Sequence, residues 1–596
     1  MLVNYHKRKN AELFKSLELE SSLFLSTAQN YIPVYQRFFS LNDTNFNNIN
    51  LNHRWHVSSV NSADKDDHHI FKCKLKNATS GKTKDKDVFV KMAPLLDPYK
   101  YLIGKYDVTD DKLFALPQLT STPADCNTKF LDPNNAAYVD GLFVFLTSNL
   151  MSAHNFPHGV DYYGSFLGIK NNFTINVFDD IEYLNNSEFF NKNKNKLFKV
   201  DDYAHLFQNE TQKLNPITIE HNTSARSQMS IASFDNKIFD GVFEENTMNL
   251  NDLKDLSADL CDLVDLTNTD SFGNNDAKQI TLKSNSTCSS RSSHTENEDT
   301  TPDTAHDETC ADENAPDDMS GGDDDTEWED DASDSESGSY EEEQICATIE
   351  KFPVQIICME NCEDTIDNLI LNNELTTQEW HSALMQVIMM LITYQKAFGL
   401  THNDLHSNNI MYNHTDKKFI SYCYKKKYYK VPTFGRIFKI IDFGRSIYKY
   451  DGKLFCSDSF QIGGDAATQY NTEPYLNEKK PRLEPNFSFD LCRLACSIFD
   501  YVIDDVDDIR LIKKCKDPIK RLILEWCLDD KGINMLYKND GTDRYPEFKL
   551  YKMIARCVHN HTPQAQLDRP EFNAFSEFKG EIPSEVIDID SIPSYM

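Results

Sequence analysis

The chain has 596 residues, 40% of them hydrophobic and 12% aromatic, which is enough for a large core and, by length, about two to four domains. Its net charge of −33 and pI near 4.9 exclude nucleic acid as a first guess, because a phosphate backbone is neutralised by Lys and Arg. The 15 cysteines include no C-x-x-C pair and read as free thiols of a reducing compartment, not as a disulfide framework or a zinc site.

The N-terminus, MLVNYHKRKNAELF, lacks the apolar run of a secretory signal. No uninterrupted apolar stretch approaches the ~18 residues of a spanning helix, so no membrane partner and an intracellular, cytoplasmic location are expected. Residues 52–92 read as short strands: HIFKCKL and DVFVKM are apolar or alternating, and NATSGKTKDKD between them has turn chemistry. NNAAYVDGLFVFLTSNLMS, 134–152, reads as a helix with Asn or Asp near its start, and VDYYGSFLGI as a strand.

From about residue 174 to 350 the character changes. NNSEFFNKNKNKLFK is polar and lysine-rich, and short apolar patches follow up to about 270. The stretch from His294 to Glu343 has no Lys or Arg and carries about two-thirds of the net negative charge. Such a composition cannot offset the entropy of ordering, so residues ~270–345 are expected to be disordered and to serve as a binding arm for some partner. Order resumes with FPVQIICMEN, a buried-strand pattern. TTQEWHSALMQVIMMLITYQKAFG then reads as an amphipathic helix, with a capping box from Thr376 to Glu379 and a terminal Gly. RIFKIIDFG is a strand and turn, with Gly444 expected to permit the turn, and FSFDLCRLACSIFDYVI is a buried helix.

Within this layout four polar residues recur at telling places. VFVK ends a strand at Lys91. HNDLHSNN supplies Asp404 and, five residues on, Asn409. IIDFG supplies Asp442. Phosphoryl transfer needs a cation for the phosphates, oxygen ligands for Mg2+ and a carboxylate for the attacking hydroxyl. The order Lys, Asp, Asn, Asp matches that set.

On these motifs the chain resembles the protein-kinase-like superfamily, most closely the divergent serine/threonine kinases of large DNA viruses. The resemblance implies an α+β, bilobal fold with a β-rich N-lobe, a helical C-lobe and a long acidic disordered insertion within the N-lobe. The boundaries expected are a 1–50 extension, 51–173 as the first part of the N-lobe, 174–350 as the insertion, 351–361 as the last strand and hinge, 362–580 as the C-lobe and 581–596 as a tail. It implies ATP and Mg2+ as cofactors, and a protein substrate phosphorylated on Ser or Thr in the cytoplasm of an infected host or in a virion. Lys91 would anchor the α and β phosphates and Asp404 would be the catalytic base. Asn409 and Asp442 would bind Mg2+, and His402 would brace the loop. Backbone groups near Glu360 and Cys362 would meet the adenine edge. Asp490 would hold the backbone of the Asp404 loop, and Arg569 would pair with Glu473.

The chain departs from that pattern in several places. WHVSSVNSADKDDHHIF, where a glycine-rich phosphate loop is expected, has no glycine. The acidic partner of Lys91 is best assigned to Asp140. Asn403 replaces an arginine that reads activation-loop phosphate, so that switch is not expected here. His406 replaces a lysine and gives the loop a likeness to aminoglycoside and choline phosphotransferases. The span from Asn409 to Asp442 is long and suggests an extended hairpin. Its YKKKYYK reads as a lysine-protected strand edge or, more sharply, as a dock for an acidic segment such as the insert. A small-molecule phosphotransferase and a catalytically silent scaffold are therefore the rival readings.

Overall fold

The computed structural model describes residues 3–19, 23–51, 53–64, 67, 69–211, 344–503, 506–538, 541–546, 548–576 and 585–596. The acidic stretch from His294 to Glu343 and the apolar patches after residue 211 lie outside them, and with them the expected disorder.

The fold is mixed α+β, with a β-rich N-terminal region. Its main sheet contains β1 (Leu25–Gln29), β2 (Trp55–Ala63), β3 (Ile70–Asn77), β4 (Thr83–Pro94), β5 (Tyr162–Asn176) and β6 (Cys346–Glu360). The spatial order is β1-β5-β6-β4-β3-β2, and every neighbouring pair is antiparallel. The pattern of β3 decides its orientation: Phe71, Cys73 and Leu75 are buried, while Lys72, Lys74 and Lys76 are exposed. Lys72 and Lys74 stand opposite Asp87 and Asp85 of β4, a favourable cross-strand pairing. By contrast β6 lies between two strands and is buried without a break from Phe352 to Glu360.

The sheet claims both ends of the expected 174–350 insertion. β5 runs on to Asn176 and β6 begins at Cys346, with Thr174 opposite Thr348. Phe198–Val200 then adds to the same end of β6. The polar, lysine-rich wording of 186–200 concealed two buried rings, Phe190 and Phe198, stacked at 5.3 Å.

Helix α1 (Ala136–His154) packs on this sheet, its first turn capped by the Asn135 side chain on Ala137 N–H. A Cβ on Gly141 would lie 2.2 Å from Gln355 Nε2 of β6, so this residue permits the close approach of helix to sheet. By length and apolarity the stretch Thr128–His154 could cross a bilayer, but 72% of its most apolar window is buried inside the protein, as a core helix is.

Helix α2 (Thr377–Phe398) has the expected capping box and ends at Gly399 with φ +61°. After it come two nested hairpins. β7 (Ile410–His414) pairs with β10 (Arg436–Ile440), and β8 (Phe419–Tyr424) with β9 (Lys427–Pro432). A third hairpin joins β11 (Ile447–Tyr450) to β12 (Lys453–Cys456), and helix α3 (Phe489–Val502) follows.

The lysine-rich turn is occupied by the C-terminal tail, while the acidic insert proposed for it lies outside the described residues. Lys425 and Lys426 both have positive φ, +50° and +60°, which L-residues with long side chains adopt at a cost. The Asp590 carboxylate accepts from both of their N–H groups, each at 2.8 Å. Ile587 and Asp588 extend β8 in parallel, and Ile589 and Ile592 are buried. The C-terminal tail is thus the acidic segment that covers this edge.

Candidate functional site

The loop between α2 and β7 is held from below. Asp490, in the first turn of α3 and fully buried, accepts from the N–H groups of His402 and Asn403, each at 2.9 Å. Asn403 sits at φ +66°, a conformation Asn tolerates, and Tyr470 donates to its Oδ1 at 2.7 Å. His402 accepts the Asp404 N–H at Nδ1, which leaves Nε2 to donate to Ile441 O at 2.9 Å. Asn409 donates from Nδ2 to Asp404 O and to His406 Nε2, both at 3.0 Å. Its side-chain oxygen therefore points the other way, where it could ligate a metal. His406 can accept here because burial pushes its imidazole down to about 4. Ile441 N–H donates to Asn409 O at 3.0 Å and brings the next residue, Asp442, beside the loop.

Lys91 reaches this loop from β4. Its Nζ lies 2.7 Å from Asp140 Oδ2 on α1 and 2.8 Å from Asp442 Oδ1. Burial pushes the Asp140 carboxyl up, and Lys91 opposes that. At Asp442 partial burial also raises, but Lys91 outweighs it and holds the carboxyl at about 2. Asp442 takes φ +61°, so the turn expected of Gly444 is made by the aspartate itself, which the left-handed region admits. Phe443 N–H donates to Asp140 Oδ1 at 2.9 Å, and its ring packs on Phe143 of α1 and on His402, at 4.5 and 5.3 Å between centroids. Asp458, just after β12, accepts from Ala136 N–H at 2.9 Å and pairs with Lys129, so the chain beyond Asp442 also holds the start of α1.

The Asp404 side chain is nearly buried. Tyr551 donates to its Oδ1 at 2.9 Å, and Arg445 Nη1 stands 3.5 Å from its Oδ2. Burial would raise this carboxyl, but the Arg445 charge outweighs it and holds it below the usual range. Arg445 is itself clamped by Asp465, with Nε and Nη2 at 3.2 and 2.7 Å from one oxygen.

Glu360 and Cys362 lie at the far end of β6. Lys91 is opposite Ile357, so Glu360 is about 10 Å further along the strand. The Glu360 N–H donates to Asp161 O at 2.9 Å, and its carboxylate forms a buried ion pair with Lys439 of β10. Burial pushes the Cys362 thiol up to about 12, so it stays protonated near neutral pH. The glycine-free connection between β2 and β3 is closed by Asp64 N–H to Ile70 O at 2.7 Å.

The expected pairing of Arg569 with Glu473 is not formed. Arg569 binds Glu525, at 2.6 Å, while Glu473 lies 3.4 Å from Arg482 on the surface. Glu525 presents a half-buried carboxylate on the neighbouring helix Pro518–Trp526, already oriented by Arg521 at 2.9 Å. Arg445 and Tyr551 were not anticipated as neighbours of Asp404. Arg445 could have been noticed, because it directly follows the Asp442–Gly444 tripeptide; Tyr551 carries no local signal.

No family model matches the chain. A stretch of 184 residues, 30% of this chain, is 26% identical to 27% of an uncharacterized protein, 098R, of Invertebrate iridescent virus 6. The chain thus aligns with about a quarter of that protein's length, and the name assigns no activity.

Proposed function

We propose that this protein is an ATP- and Mg2+-dependent kinase that transfers the γ-phosphoryl group to Ser or Thr of a protein, on a bilobal protein-kinase-like fold. The observation that carries this reading is Lys91 bridging Asp140 and Asp442 beside the loop that presents Asp404 and Asn409. Separate stretches of chain contribute these groups, and a structural ion pair would not need them all. The sheet order, with α1 carrying the acid that meets Lys91, supports the fold assignment.

The roles follow from the chemistry. Lys91 is a fixed cation for the phosphates. Asp442, about half exposed and ionised, and the Asn409 side-chain oxygen are hard donors that fit Mg2+. When bound, Mg2+ supplies charge neutralisation to the phosphate oxygens. Asp404, held ionised, accepts the hydroxyl proton of the substrate. Asn403 is buried and spent on backbone, and Asp465 already satisfies Arg445, so phosphate on the intervening segment is not required for order.

The scaffold reading is favoured by one observation, that both Asp404 oxygens already have protein partners. Labelled ATP, Mg2+ and a panel of proteins and small alcohols decide between them. Transfer to protein Ser or Thr is the expected result. Transfer only to small alcohols would assign a small-molecule phosphotransferase, and nucleotide binding without transfer would assign a scaffold.

A further inference from the structure

The phenol on Asp404 is a hydroxyl placed where a reacting hydroxyl would have to be. Tyr551 Oη lies 2.9 Å from Asp404 Oδ1, within the range over which a base takes a proton from its substrate. The ring is boxed in. The guanidinium carbons of Arg493 and Arg445 are 5.0 and 5.7 Å from its centroid. Phe548 stacks on it at 5.3 Å, and Phe489 lies at 6.3 Å. A carboxylate has about four lone-pair sites, so Asp404 is not saturated by two donors. The obstruction is the phenol's hydrogen bond: the hydroxyl takes the Oδ1 position an acceptor hydroxyl needs, and that bond is what holds the ring against Asp404.

We propose that Tyr551 is an internal occupant of the acceptor-hydroxyl site, and that a protein substrate gains Asp404 only when the helix Lys549–Cys557 draws back. This rests on the phosphotransfer reading above and adds a regulation of the same site. The helix is suited to withdrawal. It has nine residues, no side-chain N-cap, and only Ile554 and Ala555 fully buried. Arg556 ties it to Thr468 O at 3.1 Å, on the segment that also carries Asp465. Movement of that segment by an arriving substrate would therefore loosen the helix that holds the phenol.

A purely structural tyrosine would bridge the same elements, but it would not compete with substrate. The test compares the full-length wild type with Tyr551→Phe, using dephosphorylated casein as acceptor. Removing the hydroxyl deletes a hydrogen bond to a charged group, typically worth about 10-fold or more. The acceptor KM should fall by about 10-fold with the Kd for Mg·ATP unchanged. In the wild type, casein plus a non-hydrolysable ATP analogue should speed hydrogen exchange in 549–557. An unchanged acceptor KM, a lower kcat, or exchange in 549–557 indifferent to casein overturns the occupant and leaves the kinase reading standing. Phosphate on Tyr551 itself also overturns it, since the residue would then be a substrate. A wild type that binds no Mg·ATP removes the kinase reading and this inference together.

Discussion

Lys91 and Asp140 form a 2.7 Å ion pair across the interface of β4 and α1, with the Asp140 side chain only 2% exposed. A lone charge so placed is costly, and this makes the two ends of the Lys91 network unequal. Lys91→Ala strands Asp140 and is expected to destabilise by about 3–5 kcal/mol. Asp442→Asn removes a carboxylate that is 47% exposed, and Asn tolerates the same positive φ, so its cost should stay within about 1 kcal/mol. Urea unfolding of both variants checks the ranking; equal losses would contradict it.

The two aspartates of the site should separate in function. Asp404→Asn is expected to lower kcat by about 100-fold or more and spare Mg·ATP binding, because it acts on the hydroxyl. Asp442→Asn should abolish Mg2+-dependent nucleotide binding, because the substitution removes the charged oxygen ligand. Calorimetric titration with Mg·ATP, alongside turnover, reads the difference. Loss of binding in both would make Asp404 a structural residue.

The tail should behave as a clasp on the lysine turn. Besides Asp590, Lys396 Nζ binds the Asp590 carbonyl at 2.7 Å, and Tyr595 reaches His154 at the end of α1 at 2.7 Å. Asp590→Ala leaves two strained turn amides to water and should destabilise by roughly 1–2 kcal/mol. Faster hydrogen exchange confined to 419–432 is the expected signature. Unchanged protection there would show that the turn holds itself.

Acid should weaken the fold through buried histidine. His158 lies between Phe438 O and the Tyr422 hydroxyl, both at 2.7 Å, an arrangement that suits a neutral ring donating from Nδ1 and accepting at Nε2. Burial pushes it from 6.5 down to about 4. The unfolded chain thus binds the proton first as pH falls. The contribution is whole above pH 6.5 and is lost between 6.5 and 4. Roughly 2 kcal/mol should be gone by pH 5. Urea midpoints at pH 7.5 and 5 test this, and His158→Gln should flatten the difference.

Whatever depends on neighbours along the chain can be read from the residues alone. The capping box at Thr376, the alternation in β3 and the mostly apolar run FPVQIICM of β6 are local patterns with local causes, and each stands where the residues placed it. The spacing of Asp404, Asn409 and Asp442 singled out groups that one short loop and one strand end do bring together. Asp140 could be named from YVDGLFVFL as a candidate partner of Lys91, and the 2.7 Å ion pair bears that assignment out. Partner choice among remote groups depends on how the elements pack. Arg569 has many carboxylates to choose from, and packing offers it Glu525, not Glu473. The lysine turn could attract any acidic segment, and the tail that buries Ile589 and Ile592 arrives with Asp590. Tyr551 is 147 residues from Asp404, and nothing near it in sequence announces that contact. Charge and hydrogen-bond attractions are short-ranged and nearly degenerate among candidates, so the burial of apolar surface selects which of them meet.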